Sequence, residues 1–206
     1  MAAASLKKSK RTMAEQADIH ELYEEAVQSV ETEVEFLAET FQRLRGRSAV
    51  SLREDFCGTA STSCEWVKTN PAHNAIGVDI DPDVLEWGER NRVGRLPESA
   101  QSRIKLLNQD VMTVDTVAVD IVAAFNFSYW IFQRRDKMRE YLSRIYSTLA
   151  SDGLLFLDVY GGPEAYEEQM EKTEHDGFTY IWDQAEFEPV TGRTLCHIHF
   201  KFSDGS

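Results

Sequence analysis

The N-terminal part of the chain shows a helical pattern of apolar residues. In the segment ADIHELYEEAVQSVETEVEFLAETFQRL, apolar side chains recur at intervals of three and four positions from Ile19 to Leu44. This spacing gathers them on one face of a helix. The pattern predicts one amphipathic helix, or two in succession, ending near Gly46. Residues 15–47 are therefore predicted to form a helical cap, preceded by a flexible tail over residues 1–14.

From Ser48 onward the pattern changes to short apolar runs separated by helical stretches. Runs that do not alternate with polar residues are typical of strands covered on both faces, and the strand-then-helix order favours a parallel sheet with right-handed crossovers. The predicted strands lie near Ala49–Arg53, Ala75–Ile80, Ile104–Asn108, Asp120–Phe125 and Leu154–Val159. Two helices are clearly marked, one that Asp81 caps, Pro82 begins and Gly94 ends, and one from Arg135 to Leu149.

Residues 161–206 differ from the preceding part of the chain. The segment FTYIWDQAEFEPVTGRTLCHIHFKF contains two aromatic-rich runs separated by EPVTG, which is typical of a hairpin turn. Residues 161–206 are therefore predicted to form a helix followed by an antiparallel β-hairpin. The pair His197 and His199 falls on one face of a predicted strand, but without a third ligand nearby no metal site is predicted.

Composition and charge exclude several classes of function. With 206 residues and 42% hydrophobic residues, the chain can bury one full core. Its formal net charge of −13 repels nucleic acid and anionic membranes. No apolar run approaches the length of a membrane span, and three cysteines without a C-x-x-C pair suit a reducing compartment. We expect a cytoplasmic protein that acts on a small molecule. The basic opening segment is either a tail or a targeting signal.

Candidate binding residues follow the predicted strands. Ligands of open parallel sheets bind at the carboxyl ends of the strands. Gly58 follows the first strand, in EDFCGTA, where a residue without Cβ lets a ligand approach the backbone. Asp79 lies 21 residues further on, a spacing that suits a ribose diol, and Asp110 follows the third strand. The polar segment FNFSYW follows the fourth. Each has a structural alternative, since Asp79, Asp110 and Asn126 are all common turn residues.

The ordered set SLREDFCGTA, AIGVDIDPDVL, NQDV, DIVAAFNFSYW and LASDGLLFLDV resembles the class I S-adenosylmethionine-dependent methyltransferases. The resemblance covers about Ser48 to Tyr160. It implies an α/β, Rossmann-like fold with strand order 3-2-1-4-5 over residues 48–160, and it implies S-adenosylmethionine as the cofactor. Two further strands normally close this family's sheet, and because no segment after HIHFKFSDGS matches them, we expect them to be missing.

The resemblance also implies roles for individual residues. Carried over by position, the cofactor-binding residues are Glu54, Phe56, Gly58, Asp79, Ile80, Asp110, Val111 and Asn126. The segment after the fourth strand would face the transferred methyl group, so Asn126 and Tyr129 are the candidate catalytic residues. Ser128 and Tyr23, the latter on the N-terminal helix, are candidates for substrate contact or a lid.

The predicted activity is methyl transfer to a nitrogen or oxygen nucleophile of a small molecule by in-line displacement. Two alternatives remain open. A nicotinamide-dependent oxidoreductase would use the same turn, but CGTAST has one glycine of the three in its fingerprint. A non-catalytic or truncated domain acting through protein partners would fit the substitution of Phe56 and Ala60 for the family's usual glycines. The sequence does not indicate an oligomeric state.

Overall fold

A computed structural model describes residues 11–206. The chain divides into two compact units, one formed by Ser29–Tyr160 and the other by the described residues up to Gln28 together with Gly161–Ser206. Most of the predicted flexible tail, residues 1–14, lies outside the described residues. At its described end, the Met13 N–H donates a hydrogen bond to the Asp204 carboxylate at 2.8 Å, within the second of these units.

The Ser29–Tyr160 unit is built on five parallel strands. They are β1 (Ser51–Asp55), β2 (Asn74–Asp79), β3 (Ile104–Asn108), β4 (Val119–Ala124) and β5 (Leu149–Leu157). Their order is β3-β2-β1-β4-β5, and every neighbouring pair is parallel. The order and direction confirm the Rossmann-like sheet that the sequence predicts. Among residues 11–206, no antiparallel strand extends this sheet.

Six α-helices are present in the described residues. They are α1 (Ile19–Val27), α2 (Val30–Arg45), α3 (Ser61–Thr69), α4 (Pro82–Asn91), α5 (Glu98–Gln101) and α6 (Arg135–Thr148). The predicted N-terminal helix is therefore two helices, and the predicted cap of residues 15–47 spans both units, because α1 and α2 lie in different ones. Gly46 ends α2 with a left-handed φ of 70°, and the Asp81 carboxylate caps α4, both as predicted. No helix within residues 11–206 combines the length and apolar character that crossing a bilayer requires.

Side chains from the two faces of the sheet form separate hydrophobic clusters. One cluster joins Leu52 and Ile121 of the sheet to Phe41 of α2 and Trp66 of α3. The other joins Val78 and Val122 to residues of α6. Because successive strand residues point to opposite faces, the neighbouring β4 residues Ile121 and Val122 belong to different clusters. The sheet is thus covered on both faces, which explains why its strands read as continuous apolar runs.

The central strand carries a charged triplet inside this core. The predicted first strand ended at Arg53, whereas β1 extends to Asp55. The Arg53 guanidinium donates to both carboxylate oxygens of Asp55, at 2.6 and 2.9 Å, and also to the Thr148 hydroxyl at 3.0 Å. The Tyr141 hydroxyl donates to Asp55 at 2.9 Å. Both charged side chains are fully buried, and this mutual hydrogen bonding is what makes their burial tolerable.

The C-terminal residues form a second, antiparallel sheet. Its strands are β6 (Gln169–Glu174), β7 (Phe178–Glu188) and β8 (Arg193–Phe202), in that order. The hairpin of β7 and β8 is confirmed. The predicted helix is wrong, because within the described residues 161–206 the segment holds only a 3₁₀ turn, at Pro163–Tyr166, before β6. Pairing of β6 along β7 satisfies its backbone groups and overrides the helix propensity of its Glu, Gln and Lys residues.

Candidate cofactor site at the carboxyl ends of the strands

The turn after β1 is built from residues with left-handed backbone. Phe56, Gly58 and Ala60 have φ of 57°, 53° and 61°. The Cys57 N–H donates to the Val78 carbonyl at 3.0 Å, and the Ala60 N–H donates to the Cys57 carbonyl at 2.8 Å. A Cβ built on Gly58 would have no heavy atom within 4 Å. The chain therefore reaches the glycine-rich geometry with one glycine, and the backbone at Gly58 borders open space that a ligand can enter.

The Asp79 carboxylate joins this turn to the end of β2. One oxygen accepts a hydrogen bond from the Gly58 N–H at 2.8 Å, and the other accepts from the Asp81 N–H at 3.0 Å. The structural alternative for Asp79, capping the following turn, is thus part of what it does. An ionised carboxylate has about four acceptor positions. Two are used here, so Asp79 retains capacity for hydroxyl donors such as those of a ribose.

Helix α4 packs directly against the same turn through Gly88. A Cβ added at this residue would lie 2.4 Å from the Thr59 carbonyl oxygen and 2.8 Å from its carbonyl carbon. Only glycine permits this approach, which fixes the turn against α4. The sequence analysis did not identify Gly88, because an isolated glycine within a helical pattern carries no signal of what it contacts.

Two carboxyl groups accept hydrogen bonds from residues in the first turn of α3. Glu54 accepts from the Ser63 N–H at 2.9 Å and from the Ser63 hydroxyl at 2.6 Å. Glu33, on α2, accepts from the Thr62 hydroxyl at 3.2 Å. Burial raises the pKa of Glu54 to about 7, against the lowering effect of the Ser63 hydrogen bonds. Burial likewise raises the pKa of Glu33.

This arrangement determines which ligands suit the turn. In dinucleotide-binding proteins, the positive N-terminus of the corresponding helix faces a pyrophosphate. Here the Ser63 N–H and hydroxyl already donate to Glu54, and the Thr62 hydroxyl donates to Glu33, so these donors are not available to a phosphate. A ligand without a phosphate group at this point fits instead. Glu33 was not predicted from the sequence, although a charged residue within the apolar face of a predicted helix is a signal that could have indicated it.

The residues predicted to contact adenine lie beyond the end of β3. Asp110 is exposed, and its carboxylate accepts from the Met112 N–H at 2.8 Å, so it also stabilises its own turn. Val111 is buried in the cluster that α6 completes. Ile80 is 69% exposed at the end of β2. The Asn108 carboxamide donates to the Ile80 carbonyl at 2.9 Å, which joins the ends of β2 and β3. The predicted residues thus share one edge of the sheet.

The loop after β4 is held by an aspartate that the sequence analysis did not single out. Asn126 and Phe127 both have φ of 55°, and neither is glycine. The Asp158 carboxylate, just beyond β5, accepts from the Asn126 N–H at 2.8 Å and from the Phe127 N–H at 3.0 Å. The Tyr129 hydroxyl donates to the Asp158 carbonyl at 2.8 Å. Ser128 donates through its hydroxyl to the Phe125 carbonyl at 2.8 Å.

The remaining predicted residues lie in the other unit. Tyr23 is on α1, so its predicted contact with substrate stays a prediction. His199 lies 3.3 Å from the Asp183 carboxylate on the neighbouring strand. Within residues 11–206, no three His, Cys, Asp or Glu side chains are arranged to hold a metal ion.

Comparison with known proteins identifies the class. Residues 57–155 match the family model described as a methyltransferase domain. No curated protein matches the sequence. Residues 57–155, just under half of the chain, thus carry a methyltransferase domain, and the sheet order agrees with the class I, S-adenosylmethionine-dependent methyltransferases. S-adenosylmethionine is the cofactor of this class of enzyme.

Solved structures share this fold at low sequence identity. One is CalS10, an amino pentose methyltransferase of Micromonospora echinaspora with S-adenosylmethionine bound, which is 17% identical, with a TM-score of 0.66 over 94% of this chain and 84% of that one. The sugar N-methyltransferase KedS8 of Streptoalloteichus is 18% identical, with a TM-score of 0.63 over 98% and 84%. An S-adenosylmethionine-dependent methyltransferase of Clostridium acetobutylicum is 14% identical, with a TM-score of 0.65 over 89% and 79%.

Proposed function

We propose that the protein transfers a methyl group from S-adenosylmethionine to a nitrogen or oxygen nucleophile of a small molecule by in-line displacement. The observation that carries this proposal is the hydrogen bond from the Gly58 N–H to Asp79 beside open space at Gly58. A ligand can reach the backbone at Gly58, and the Asp79 carboxylate beside it can accept further hydrogen bonds. Both lie at the carboxyl ends of adjacent strands, where this fold binds ligands.

The cofactor residues divide into three groups along this edge. Phe56 and Gly58 border the methionine part, and Glu54 acts there through α3, because its carboxylate is engaged by Ser63. Asp79 holds the ribose hydroxyls. Ile80, Asp110 and Val111 form the adenine side, with the exposed Ile80 side chain as an apolar contact surface for the base.

Methyl transfer requires little of the protein beyond alignment of the acceptor with the methyl group. When bound, S-adenosylmethionine supplies an electrophilic methyl group on a sulfonium that leaves as a neutral thioether. The protein therefore needs to orient the acceptor in line and to exclude water. Asn126, Tyr129 and Ser128 supply polar groups for this at the loop after β4. The Tyr129 oxygen can still accept a hydrogen bond while its hydroxyl donates to Asp158.

An amine is the acceptor that the charge of the site favours. Asp158 carries a carboxylate at this end of the unit, and it is near enough to Glu33 to contribute, after burial, to raising the pKa of Glu33. A field of this sign attracts ammonium compounds and repels phosphorylated or carboxylated ones. Two of the structural relatives are named as methyltransferases of an amino pentose and of a sugar nitrogen, which supports the same preference.

The alternative is a methyltransferase-like domain without catalytic activity. Its main support was the loss of glycines at Phe56 and Ala60. Both residues nevertheless adopt left-handed backbone in the turn, at a cost of about 1–2 kcal/mol each that the surrounding hydrogen bonds offset. The turn geometry thus survives the substitutions, which favours the enzyme over the non-catalytic domain.

Paired acceptors test the proposal. We would measure formation of S-adenosylhomocysteine from S-adenosylmethionine with amino compounds and their hydroxyl counterparts, such as glucosamine against glucose and ethanolamine against ethylene glycol. Transfer to the amino members, lost in Asp79→Ala, is the expected result. Transfer to the hydroxyl members alone would contradict the preference for nitrogen. Cofactor binding without product from any acceptor in a broad panel would favour the non-catalytic alternative.

A further inference from the structure

In the loop after β4, some hydrogen-bonding groups have partners and others do not. The Asp158 carboxylate accepts hydrogen bonds from the N–H groups of both Asn126 and Phe127. The Phe125 carbonyl accepts from the Ser128 hydroxyl, and the Phe127 carbonyl accepts from the Trp130 N–H at 2.8 Å. Within the described residues, neither the carbonyl nor the carboxamide of the half-buried Asn126 has a hydrogen-bond partner.

The conformation of this loop depends on Asp158. Two successive non-glycine residues lie in the left-handed region, which is strained for a residue with a Cβ. A carboxylate that accepts two backbone N–H bonds supplies charge-assisted hydrogen bonds, which are about twice as strong as neutral ones. The Tyr129 hydroxyl adds a third contact, to the Asp158 carbonyl. The loop is thus held from β5, at three points within 2.8 to 3.0 Å.

We propose that Asp158 is a positioning residue for methyl transfer: it fixes the loop so that Asn126 offers its carbonyl and carboxamide oxygens to the N–H groups of an amine acceptor. This inference rests on the proposed function. It adds a substrate preference, because the carbonyl and carboxamide oxygens of Asn126 are acceptors that match the N–H donors of an amine, and Asp158 occupies the two backbone N–H groups beside them. The negative charge of Asp158 beneath the loop favours the same ligands.

The inference can be tested without a known acceptor by comparing the binding of sinefungin and S-adenosylhomocysteine. Both contain the adenosine and amino acid parts of the cofactor, but sinefungin carries an additional amine where the transferred methyl group would be. Calorimetric titration should show that the wild-type protein binds sinefungin more tightly. Asp158→Ala and Asp158→Asn should reduce this advantage by about tenfold or more, the size expected for losing a charged hydrogen-bonding arrangement. The affinity for S-adenosylhomocysteine should change less than about twofold.

Controls separate positioning from loss of structure. Asp115→Asn removes an exposed carboxylate of the same unit and should leave both affinities unchanged. If Asp158→Ala fails to fold, the binding comparison is made with the nearly isosteric Asp158→Asn. In amide NMR spectra of the wild type, the Asn126 and Phe127 N–H signals should lie strongly downfield and move upfield in Asp158→Asn, as carboxylate-bound amides do.

The outcomes distinguish this inference from the proposed function. A wild-type protein that binds neither compound, while the two amide signals still report the contact with Asp158, would overturn the proposed function and the inference with it. Equal wild-type affinity for the two compounds would overturn the inference alone. So would a sinefungin advantage that persists in folded Asp158→Asn and Asp158→Ala.

Discussion

Glu54 reaches from the central strand to cap α3, and its carboxylate accepts both the N–H and the hydroxyl of Ser63, at 2.9 and 2.6 Å. Because the side chain is almost completely buried, its pKa rises from 4.5 to about 7. This contact makes the stability of the fold dependent on pH, and it lies directly below the candidate cofactor site.

The sign of this dependence follows from proton linkage. Between pH 4.5 and about 7 the unfolded chain releases the Glu54 proton while the folded protein keeps it. The free energy of unfolding should therefore fall as pH rises through this window, by about 3 kcal/mol for a shift of this size. In Glu54→Gln this decrease in the free energy of unfolding should be absent, as measured by urea unfolding at pH 5 and pH 8. Glu31→Gln, an exposed residue of α2, is the control, and identical pH dependence in wild type and Glu54→Gln would contradict the assignment.

Gly58→Val tests the ligand approach to the turn. The added side chain meets open space, so the fold should be retained at the cost of left-handed backbone strain, about 1–2 kcal/mol. The same side chain would occupy the space assigned to the cofactor, so binding of S-adenosylmethionine should be abolished. Gly46→Val has a similar φ of 70° and equally open surroundings at the end of α2, and it should bind normally. Normal binding by Gly58→Val in calorimetry would show that the site lies elsewhere.

Asp79→Ala tests the carboxylate at the end of β2. The substitution removes the acceptor for the Gly58 N–H and the proposed contact to ribose, so cofactor binding should be lost while circular dichroism remains close to that of the wild type. Asp83→Ala, which removes an exposed carboxylate four residues further on, should retain the wild-type affinity. If the two variants bind equally well, Asp79 has only a structural role in the turn.

Gly88→Ala tests the packing of α4 against the turn. Its methyl group would overlap the Thr59 carbonyl, so the turn or the helix must move. We expect a loss of about 1–3 kcal/mol in stability and a weaker affinity for the cofactor. Gly161→Ala, where a Cβ has no neighbour within 4 Å and φ is not positive, should melt at the wild-type temperature. A Gly88→Ala protein that melts at the same temperature would contradict this contact.

The buried pair in the central strand makes a thermodynamic prediction. Arg53→Met would leave the Asp55 carboxylate buried without its cation, which should cost about 3–5 kcal/mol in urea unfolding at neutral pH. Replacing both, as in Arg53→Met/Asp55→Leu, should recover most of that loss, since no charge then remains buried. A double variant no more stable than the single one would show that the pair contributes through its other contacts, to Thr148 and Tyr141.

The sequence predicted the features that apolar pattern and turn chemistry determine. The five strands and the cap of α4 at Asp81 follow from runs and caps that are local in the chain, whereas the strand order came from the family resemblance. The end of β1 was set two residues early, because the charged residues Glu54 and Asp55 contradict the pattern of a buried strand and their partners Ser63 and Arg53 are evident only in three dimensions.

Contacts between distant segments account for what sequence reasoning missed. Glu33 is 29 residues from Thr62, and Asp158 is 32 residues from Asn126, so the sequence near each carboxylate does not identify its hydrogen-bond partner. The same reason explains β6, whose sequence favours a helix until β7 is available to pair with it. The family resemblance supplied residue roles that the fold alone does not assign.

Calorimetric titration of the wild-type protein with S-adenosylmethionine, with NAD as the control ligand, tests the central claim most directly. The turn at Gly58, the carboxylate of Asp79 and the two carboxylates at the N-terminus of α3 predict saturable binding of S-adenosylmethionine and no binding of NAD. Binding of NAD alone, or of neither ligand by a protein that circular dichroism shows to be folded, would contradict the account.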